Sequence, residues 1–181
     1  MNYLQIKYFF IFSITLFILF PACNNHRIEN GQINPEKYRD VLININKKRV
    51  DEEDNQINQY IKRKKLIMEQ TGTGLRYCIL YHGKGTKASE GKIAVISYTI
   101  RLLNDDLCYS SEKEGVKEFE IGRGGVESGL EEGILLLNVG DQAKFILPSH
   151  LAYGLIGDNN KIPAKASIVY DITLENLKEK P

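Results

Sequence analysis

The middle of the sequence reads Phe119-Glu-Ile-Gly-Arg-Gly-Gly-Val-Glu-Ser-Gly-Leu-Glu-Glu-Gly133. Its first residues continue an alternation of polar and apolar side chains that starts at Lys117, which indicates a β-strand over 117–121. The glycines that follow indicate a turn. Ser128 and, three residues later, Glu131 fit a capping box, with Ser128 as the N-cap, and predict a short helix through about residue 136.

The segments on either side of this stretch carry mainly strand patterns. Apolar residues alternate with polar ones or form short β-branched runs, and glycine or Asn-Asp clusters separate the segments. A long loop, 148–165, joins the last two predicted strands. The strands predicted besides 117–121 are 75–81, 93–103, 107–109, 142–147 and 166–177. Several strands and one short helix predict an α+β domain over 71–181, with an antiparallel sheet wrapped around the helix.

The region before this domain is predicted to be helical. Over 36–70 the chain is rich in charged residues and glutamine, and a few apolar residues recur at roughly helical spacing. This pattern predicts an N-terminal extension of one or two amphipathic helices. The apolar residues concerned are Val50, Ile57, Tyr60, Ile61 and Met68.

The first residues have the features of a targeting segment. Lys7 precedes the apolar run 8–20, which is short for a membrane span and is followed by Pro21-Ala22-Cys23. A small residue before a cysteine resembles the lipobox of bacterial lipoproteins, although Phe20 departs from the usual residue there. We expect a signal peptide over 1–22, a lipid on Cys23 that attaches the chain to a membrane, and a polar tether over 23–35. The alternatives are cleavage after Ala22 with Cys23 incidental, or an uncleaved anchor.

Composition excludes some classes of function. The 181 residues contain 24 Lys plus Arg and 23 Asp plus Glu, so no basic excess points to a nucleic acid partner. The chain has no CxxC motif and no histidine pair, which argues against a metal site. Cys78 and Cys108 lie in apolar stretches and are interpreted as buried free thiols, although an oxidising compartment would allow them to pair.

Three segments resemble the FKBP family of peptidyl-prolyl cis-trans isomerases. They are Val95-Ile-Ser-Tyr-Thr99 with Arg101-Leu-Leu103, the stretch 119–133 leading to Val139-Gly140, and Pro148-Ser-His-Leu-Ala-Tyr-Gly154 with Ile162-Pro163. The resemblance covers about 74–178. Within the family the chain resembles most the gliding-motility-associated isomerase lipoproteins of the Bacteroidetes, which share the anchor, the helical extension and the segment 148–154.

The resemblance implies an enzyme without a cofactor that speeds rotation about X-Pro bonds of polypeptide clients. It also assigns a peptide slot. Tyr98, Phe119, Val126, Ile162 and Tyr170 match apolar and aromatic walls. Glu127 occupies a position whose backbone N–H binds a ligand carbonyl, and Tyr153 matches a tyrosine whose hydroxyl binds near the proline.

The chain also departs from the family pattern. Cys108 and Tyr109 stand where most members have Phe-Asp, and Leu130 replaces a common tryptophan on the pocket floor. Lys161 replaces an apolar residue, and Asp158-Asn159 replaces a His-Pro-like pair. Tyr109 could refill the lost volume or supply the lost polar group. The resemblance therefore predicts weaker or differently selective catalysis and poor binding of the family's macrolide drugs.

Two other readings remain open from sequence. The altered pocket could hold proline-containing clients without useful catalysis, as a binding or chaperone module of an envelope complex. The helical extension could form a dimer or dock on a partner protein. Because no acidic run follows Cys23, we expect the protein to face the periplasm.

Overall fold

The structure is a computed structural model that describes residues 35–180. The chain divides into two units, Met1–Arg39 and Asp40–Pro181, and only the start of one helix represents the first unit in the described part. The expected signal peptide, lipidated Cys23 and most of the tether lie outside the described residues. Within 35–180, no helix is both long enough and apolar enough to cross a membrane.

The described chain alternates a few helices with strands. The helices are α1 (Pro35–Lys64), α2 (Ser111–Glu114), α3 (Ser128–Ile134) and a 3-10 turn (Ser149–Leu151). The strands are β1 (Glu69–Gln70), β2 (Arg76–Tyr81), β3 (Ile93–Leu102), β4 (Leu107–Ser110), β5 (Lys117–Glu120), β6 (Gln142–Leu147) and β7 (Ile168–Lys178).

The strands form one antiparallel sheet, in the order β1-β2-β6-β7-β3-β4. The long strand β3 pairs with β7 on one side, and on its other side it pairs with β4 near its end and β5 near its start. The predicted α+β class, with an antiparallel sheet, a short helix and an N-terminal helix, is confirmed. The main core lies between the sheet and α3, whose Leu130 and Ile134 are fully buried with Phe145 and Leu147 of β6.

The start of α3 differs from the prediction. The N-cap is Glu127, not Ser128, and no side chain caps the helix. The Glu131 carboxylate instead accepts hydrogen bonds from the backbone N–H groups of Gly122, at 2.7 Å, and Gly124, at 3.0 Å. Both glycines have positive φ, so the turn that they form directs these N–H groups at a nearby acceptor. The capping box was therefore wrong, although the helix itself is present.

The predicted helical extension is a single helix that packs on the sheet with only its second half. Ile57 and Tyr60 are buried against Ile146 and Val169 on the face of the sheet opposite α3. Val50, which was predicted to belong to the apolar stripe, is 59% exposed. The prediction was also wrong at 69–70, where β1 pairs with β2.

Glu53 joins α1 to both ends of the long loop that follows β6. Its carboxylate accepts hydrogen bonds from the Ser149 N–H at 2.6 Å, the Ser149 hydroxyl at 3.2 Å and the Ser167 hydroxyl at 2.7 Å. A hydrogen bond to a charged group stabilises a fold more than a neutral one. The helix and the long loop are therefore tied together by one carboxylate.

We expect Glu53→Ala to lower the free energy of unfolding by about 2 kcal/mol, because it leaves the partly buried Ser149 N–H without its charged acceptor. Glu52→Ala is the matched control, since Glu52 is exposed and, among the described residues, pairs only with Lys48 of its own helix. We expect it to change stability by less than about 0.5 kcal/mol. Urea denaturation of both variants checks the prediction, and equal losses would contradict it.

Candidate functional site

The residues that the resemblance assigned to a peptide slot lie together in the structure. All of the apolar and aromatic ones belong to the core cluster between the sheet and α3 or pack against its edge. They are Tyr98, Cys108, Tyr109, Phe119, Val126, Leu130, Tyr153, Ile162 and Tyr170. Glu127 joins them through a hydrogen bond to Tyr170. Four strands, α3 and the long loop thus supply one cluster.

Two tyrosines from neighbouring strands form the inner wall. The ring centroids of Tyr98 on β3 and Tyr170 on β7 are 6.1 Å apart, and the rings are tilted by 49°. Tyr170 is fully buried and Tyr98 is 7% exposed. Aromatic pairs at such a tilt and separation are favourable and rigid. The Tyr98 hydroxyl donates a hydrogen bond to the Glu114 carboxylate at 3.3 Å, so this pair of rings is polar at the Tyr98 hydroxyl.

A charged pair lies among these rings. Glu127 has a side chain only 5% exposed, and Lys117 on β5 is 26% exposed, with its Nζ 3.8 Å from Glu127 Oε2. The Lys117 Nζ also lies 5.1 Å from the Tyr98 ring centroid and 3.4 Å from the Tyr170 hydroxyl. Cation–π contacts and the ion pair together hold this ammonium group over the aromatic wall. The slot is therefore aromatic with a charged lining.

The two carboxylate oxygens of Glu127 differ in their surroundings. Oε1 accepts a hydrogen bond from the Tyr170 hydroxyl at 3.0 Å. Oε2 is buried and has no hydrogen-bond partner within residues 35–180. In the same part of the chain, the Glu127 backbone N–H has no acceptor either. One donor and one acceptor of the same residue thus remain open.

A cavity of about 310 Å³ opens beside Glu127. It is lined by Lys117, Gly125, Val126, Glu127, Ala152 and Tyr153. Burial, followed by the neighbouring Glu127 carboxylate, raises the pKa of Tyr153 far above its ordinary value. Tyr153 therefore stays protonated at physiological pH, with its hydroxyl close to the Glu127 carboxylate.

Tyr109 ties the long loop to β4. Its hydroxyl donates to the Asp158 carboxylate, and the Lys161 Nζ lies 4.6 Å from the centre of its ring. Asp158 also accepts from the N–H groups of Asn160, at 2.9 Å, and Ile162, at 2.8 Å. Although burial opposes it, these donors hold the pKa of Asp158 below its ordinary value. The hydroxyl of Tyr109 thus organises the loop rather than pointing at open space.

The remaining predicted site residues are less accessible. Leu130 and Ile162 are buried. The Cys108 thiol is buried and lies 3.7 Å from the Lys161 carbonyl oxygen. Phe119 is buried opposite Ala94 in the sheet, so it supports the site from the core and does not line the cavity. Cys78 and Cys108 are both free, and Cys78 is only partly buried.

The sequence analysis missed Lys117 and Glu114 as site residues and assigned Glu127 only a backbone role. The available signal was alternation along β5, because Lys117 and Phe119 are two residues apart and point to the same face. A lysine on the inner face of a strand is an unusual placement. Throughout 35–180, no group of three or more His, Cys, Asp or Glu side chains is arranged to hold a metal ion.

The buried tyrosines give the fold a defined alkaline response. Burial is the first cause that raises the pKa values of both Tyr153 and Tyr170, and the Glu127 carboxylate is the next. Above about pH 10 the unfolded chain loses these protons while the folded chain keeps them. We therefore expect the free energy of unfolding to fall with rising pH there, by about 1.4 kcal/mol per pH unit for each tyrosine. Denaturation at pH 9 to 11.5 should show a shallower fall for Tyr153→Phe, and equal slopes would contradict this.

The fold and the site together define a class of protein: its sheet packs around a short helix, and a cavity of about 310 Å³ beside the start of that helix is lined by an aromatic residue and a charged pair. The sequence model of FKBP-type peptidyl-prolyl cis-trans isomerases matches residues 84–175, half of the chain. The chain belongs to this family, so the predicted isomerase family is confirmed.

Individual proteins similar to this chain support the same family. FK506-binding protein 2 of Dictyostelium discoideum is 39% identical over 89 residues, which cover 49% of this chain and 67% of that protein. FkpA of Aeromonas hydrophila, an FKBP-type peptidyl-prolyl cis-trans isomerase, is 36% identical over 65% of this chain, but the match covers only 43% of FkpA. The crystal structure of AtFKBP13 superposes on this chain with a TM-score of 0.59 and 27% sequence identity, and the match covers 61% of this chain and 98% of AtFKBP13.

Proposed function

We propose that this chain accelerates cis/trans isomerisation of X-Pro bonds in polypeptides, with weaker or differently selective catalysis than is typical of the family. The observation that carries the proposal is the cavity beside Val126, which is lined by the protonated Tyr153 and by Glu127, whose backbone N–H has no acceptor within residues 35–180. The Tyr98 and Tyr170 rings do not line the cavity but contact Lys117 and Glu127, which do. Family membership supports the same reaction.

The reaction requires positioning more than covalent chemistry. Rotation about an X-Pro bond breaks amide resonance and faces a barrier of roughly 18–20 kcal/mol. The planar amide is more charge-separated than the twisted one, so a dry slot disfavours the ground state. The Glu127 N–H and the Tyr153 hydroxyl would hold carbonyl oxygens that flank the proline, while Tyr98 and Val126 grip the ring. Each 1.36 kcal/mol of differential binding is worth about tenfold in rate.

Replacing the Tyr153 hydroxyl tests this assignment. We expect Tyr153→Phe to lower kcat/KM on a proline peptide by about tenfold, because one donor to the bound carbonyl is lost while the ring remains. Tyr38→Phe, on an exposed helix position, is the matched control and should retain full activity. The measurement is a protease-free isomerisation assay, and equal rates for Tyr153→Phe and wild type would remove Tyr153 from the reaction.

A second candidate function is a proline-peptide binding or chaperone module with little catalysis. The pair formed by the buried Glu127 and the partly exposed Lys117 favours it, since charges in the slot keep it polar and reduce the gain from desolvating the amide. Calorimetric binding of a proline peptide without acceleration of its isomerisation would support this candidate. Acceleration that saturates with peptide concentration would exclude it.

We further infer an envelope location and lipid attachment through Cys23, with the domain facing the periplasm and a role related to protein folding or gliding motility. The support is the order of Lys7, the apolar run 8–20 and Ala22-Cys23 in the sequence. Labelling of growing cells with a radioactive fatty acid tests it. Wild type should take up label and Cys23→Ser should not, whereas label on both would place the lipid elsewhere.

The helical extension is proposed to dock on a partner or on a second copy. Its support is the set of exposed apolar residues on α1, which are Val41, Leu42, Ile43 and Ile45. Sedimentation of the protein with and without Leu42→Lys and Ile45→Lys tests self-association. A monomer in both cases would leave only docking on another protein.

A further inference from the structure

Glu127 lines the cavity, and its Oε2 is a buried acceptor without a hydrogen-bond partner within residues 35–180. The side chain of Glu127 is 5% exposed, lines the cavity of about 310 Å³, and uses only Oε1 for the Tyr170 hydroxyl. A buried charged oxygen without a hydrogen bond is destabilising, because folding has removed its water. A group that donates to Oε2 when a ligand enters would remove this penalty.

The charge of the pocket determines which donor fits. Lys117 Nζ, 3.8 Å from Oε2, already balances the carboxylate charge but is too distant to donate a hydrogen bond to it. An ammonium or guanidinium group on the ligand would be repelled by Lys117, and a carboxylate would be repelled by Glu127. An apolar side chain would leave Oε2 dry and unpaired. A neutral donor, a hydroxyl or a carboxamide, satisfies the oxygen without adding charge.

We propose that Glu127 is a specificity-determining residue that selects X-Pro segments in which a residue next to the proline carries a neutral hydrogen-bond donor, namely Ser, Thr, Asn or Gln. This inference rests on the proposed isomerase function and extends it to a substrate class. A polar site rejects an analogue that lacks the donor more strongly than an apolar site rejects a small change of size. The selection therefore acts mainly against apolar neighbours of the proline.

The test compares isosteric peptides. Thr and Val differ by a hydroxyl in place of a methyl group, so peptides with Thr or Val directly before the proline, and with Thr or Val directly after it, form two matched pairs. For the full wild-type chain we expect kcat/KM to be about tenfold higher for Thr in at least one pair, which corresponds to about 1.4 kcal/mol. Lys in the same place should perform no better than Val.

Glu127→Gln keeps the size of the side chain and the oxygen that accepts from Tyr170, but places an NH2 group where Oε2 lies. We expect the Thr preference to disappear or reverse in this variant. Glu179→Gln, an exposed change of the same charge, should keep it. Equal Thr and Val rates in wild type at both flanks, or an unchanged preference in Glu127→Gln, would overturn the inference.

Two further readouts separate the possible failures. If the wild-type protein accelerates no peptide, the proposed isomerase function fails. The role of Glu127 in selecting a donor is then decided by calorimetric Kd values for the Thr and Val peptides alone. About tenfold tighter binding of the Thr peptide then supports it, and equal Kd values overturn it. If Glu127→Gln does not fold, as judged by circular dichroism, the Thr-to-Val ratio of the wild type alone decides in the same way.

Discussion

Gly133→Ala should lower the free energy of unfolding by about 2–3 kcal/mol, although alanine is the better helix former. A Cβ atom at Gly133 would lie 2.6 Å from Cε2 and 2.9 Å from Cδ2 of Phe145. Phe145 is fully buried in the core between the sheet and α3, so its ring cannot withdraw without displacing its neighbours. The clash would push α3, and with it Glu127 and Leu130, away from the sheet.

Gly72→Ala is the matched control for this prediction. Apart from its chain neighbours, no atom of residues 35–180 lies within 4 Å of a Cβ at Gly72, and its φ is not in the left-handed region. There the substitution should be neutral or slightly stabilising, because it only restricts the unfolded chain. Urea denaturation of both variants measures the difference. Similar stabilities for the two would show that α3 does not pack as closely on β6 as the structure indicates.

Lys117→Met should lower the free energy of unfolding by about 2 kcal/mol. The substitution removes the cation that balances the buried Glu127 carboxylate, and an uncompensated buried charge is strongly destabilising. The expected loss is below that of a fully buried pair because Lys117 is a quarter exposed. Thermal and chemical denaturation measure it.

The double variant Lys117→Met with Glu127→Gln should recover much of the stability lost in Lys117→Met. Glutamine removes the uncompensated charge and keeps the oxygen that accepts from the buried Tyr170 hydroxyl. The slot would then carry no charge, so we also expect the double variant to isomerise peptides with apolar residues beside the proline faster than wild type does. A double variant less stable than Lys117→Met would show that the unpaired Glu127 charge is not what destabilises Lys117→Met.

The sequence predicted the strands well because side-chain alternation is a local property. Strand β6 has the predicted limits, 142–147, and β3 differs from its prediction by one residue. Strand β1 was missed because a two-residue strand has no pattern of its own and exists only through pairing with β2. Glu131 was misassigned for a related reason: a carboxylate at N3 can cap its own helix or bind another turn, and here it binds the glycine-rich turn.

The site was predicted residue by residue from the family resemblance, and its members do lie together. The resemblance could not predict which contacts form between residues that differ from the family pattern. Lys117 lies on β5, and Glu127 lies just before α3. Their charged groups meet, with Lys117 Nζ 3.8 Å from Glu127 Oε2, only because β5 packs beside the start of α3. The role of Glu53 was likewise invisible, because Ser149 and Ser167 reach α1 only after the loop has folded.

If the cavity beside Val126 isomerises X-Pro bonds, a large side chain that fills the cavity should abolish the activity. The measurement is the rate of cis-to-trans conversion of a proline peptide with wild type, Val126→Trp and Val41→Trp, the last being an exposed position on α1. We predict that wild type and Val41→Trp accelerate the conversion equally and that Val126→Trp does not exceed the uncatalysed rate. Equal acceleration by Val126→Trp, with its fold intact by circular dichroism, would contradict the account.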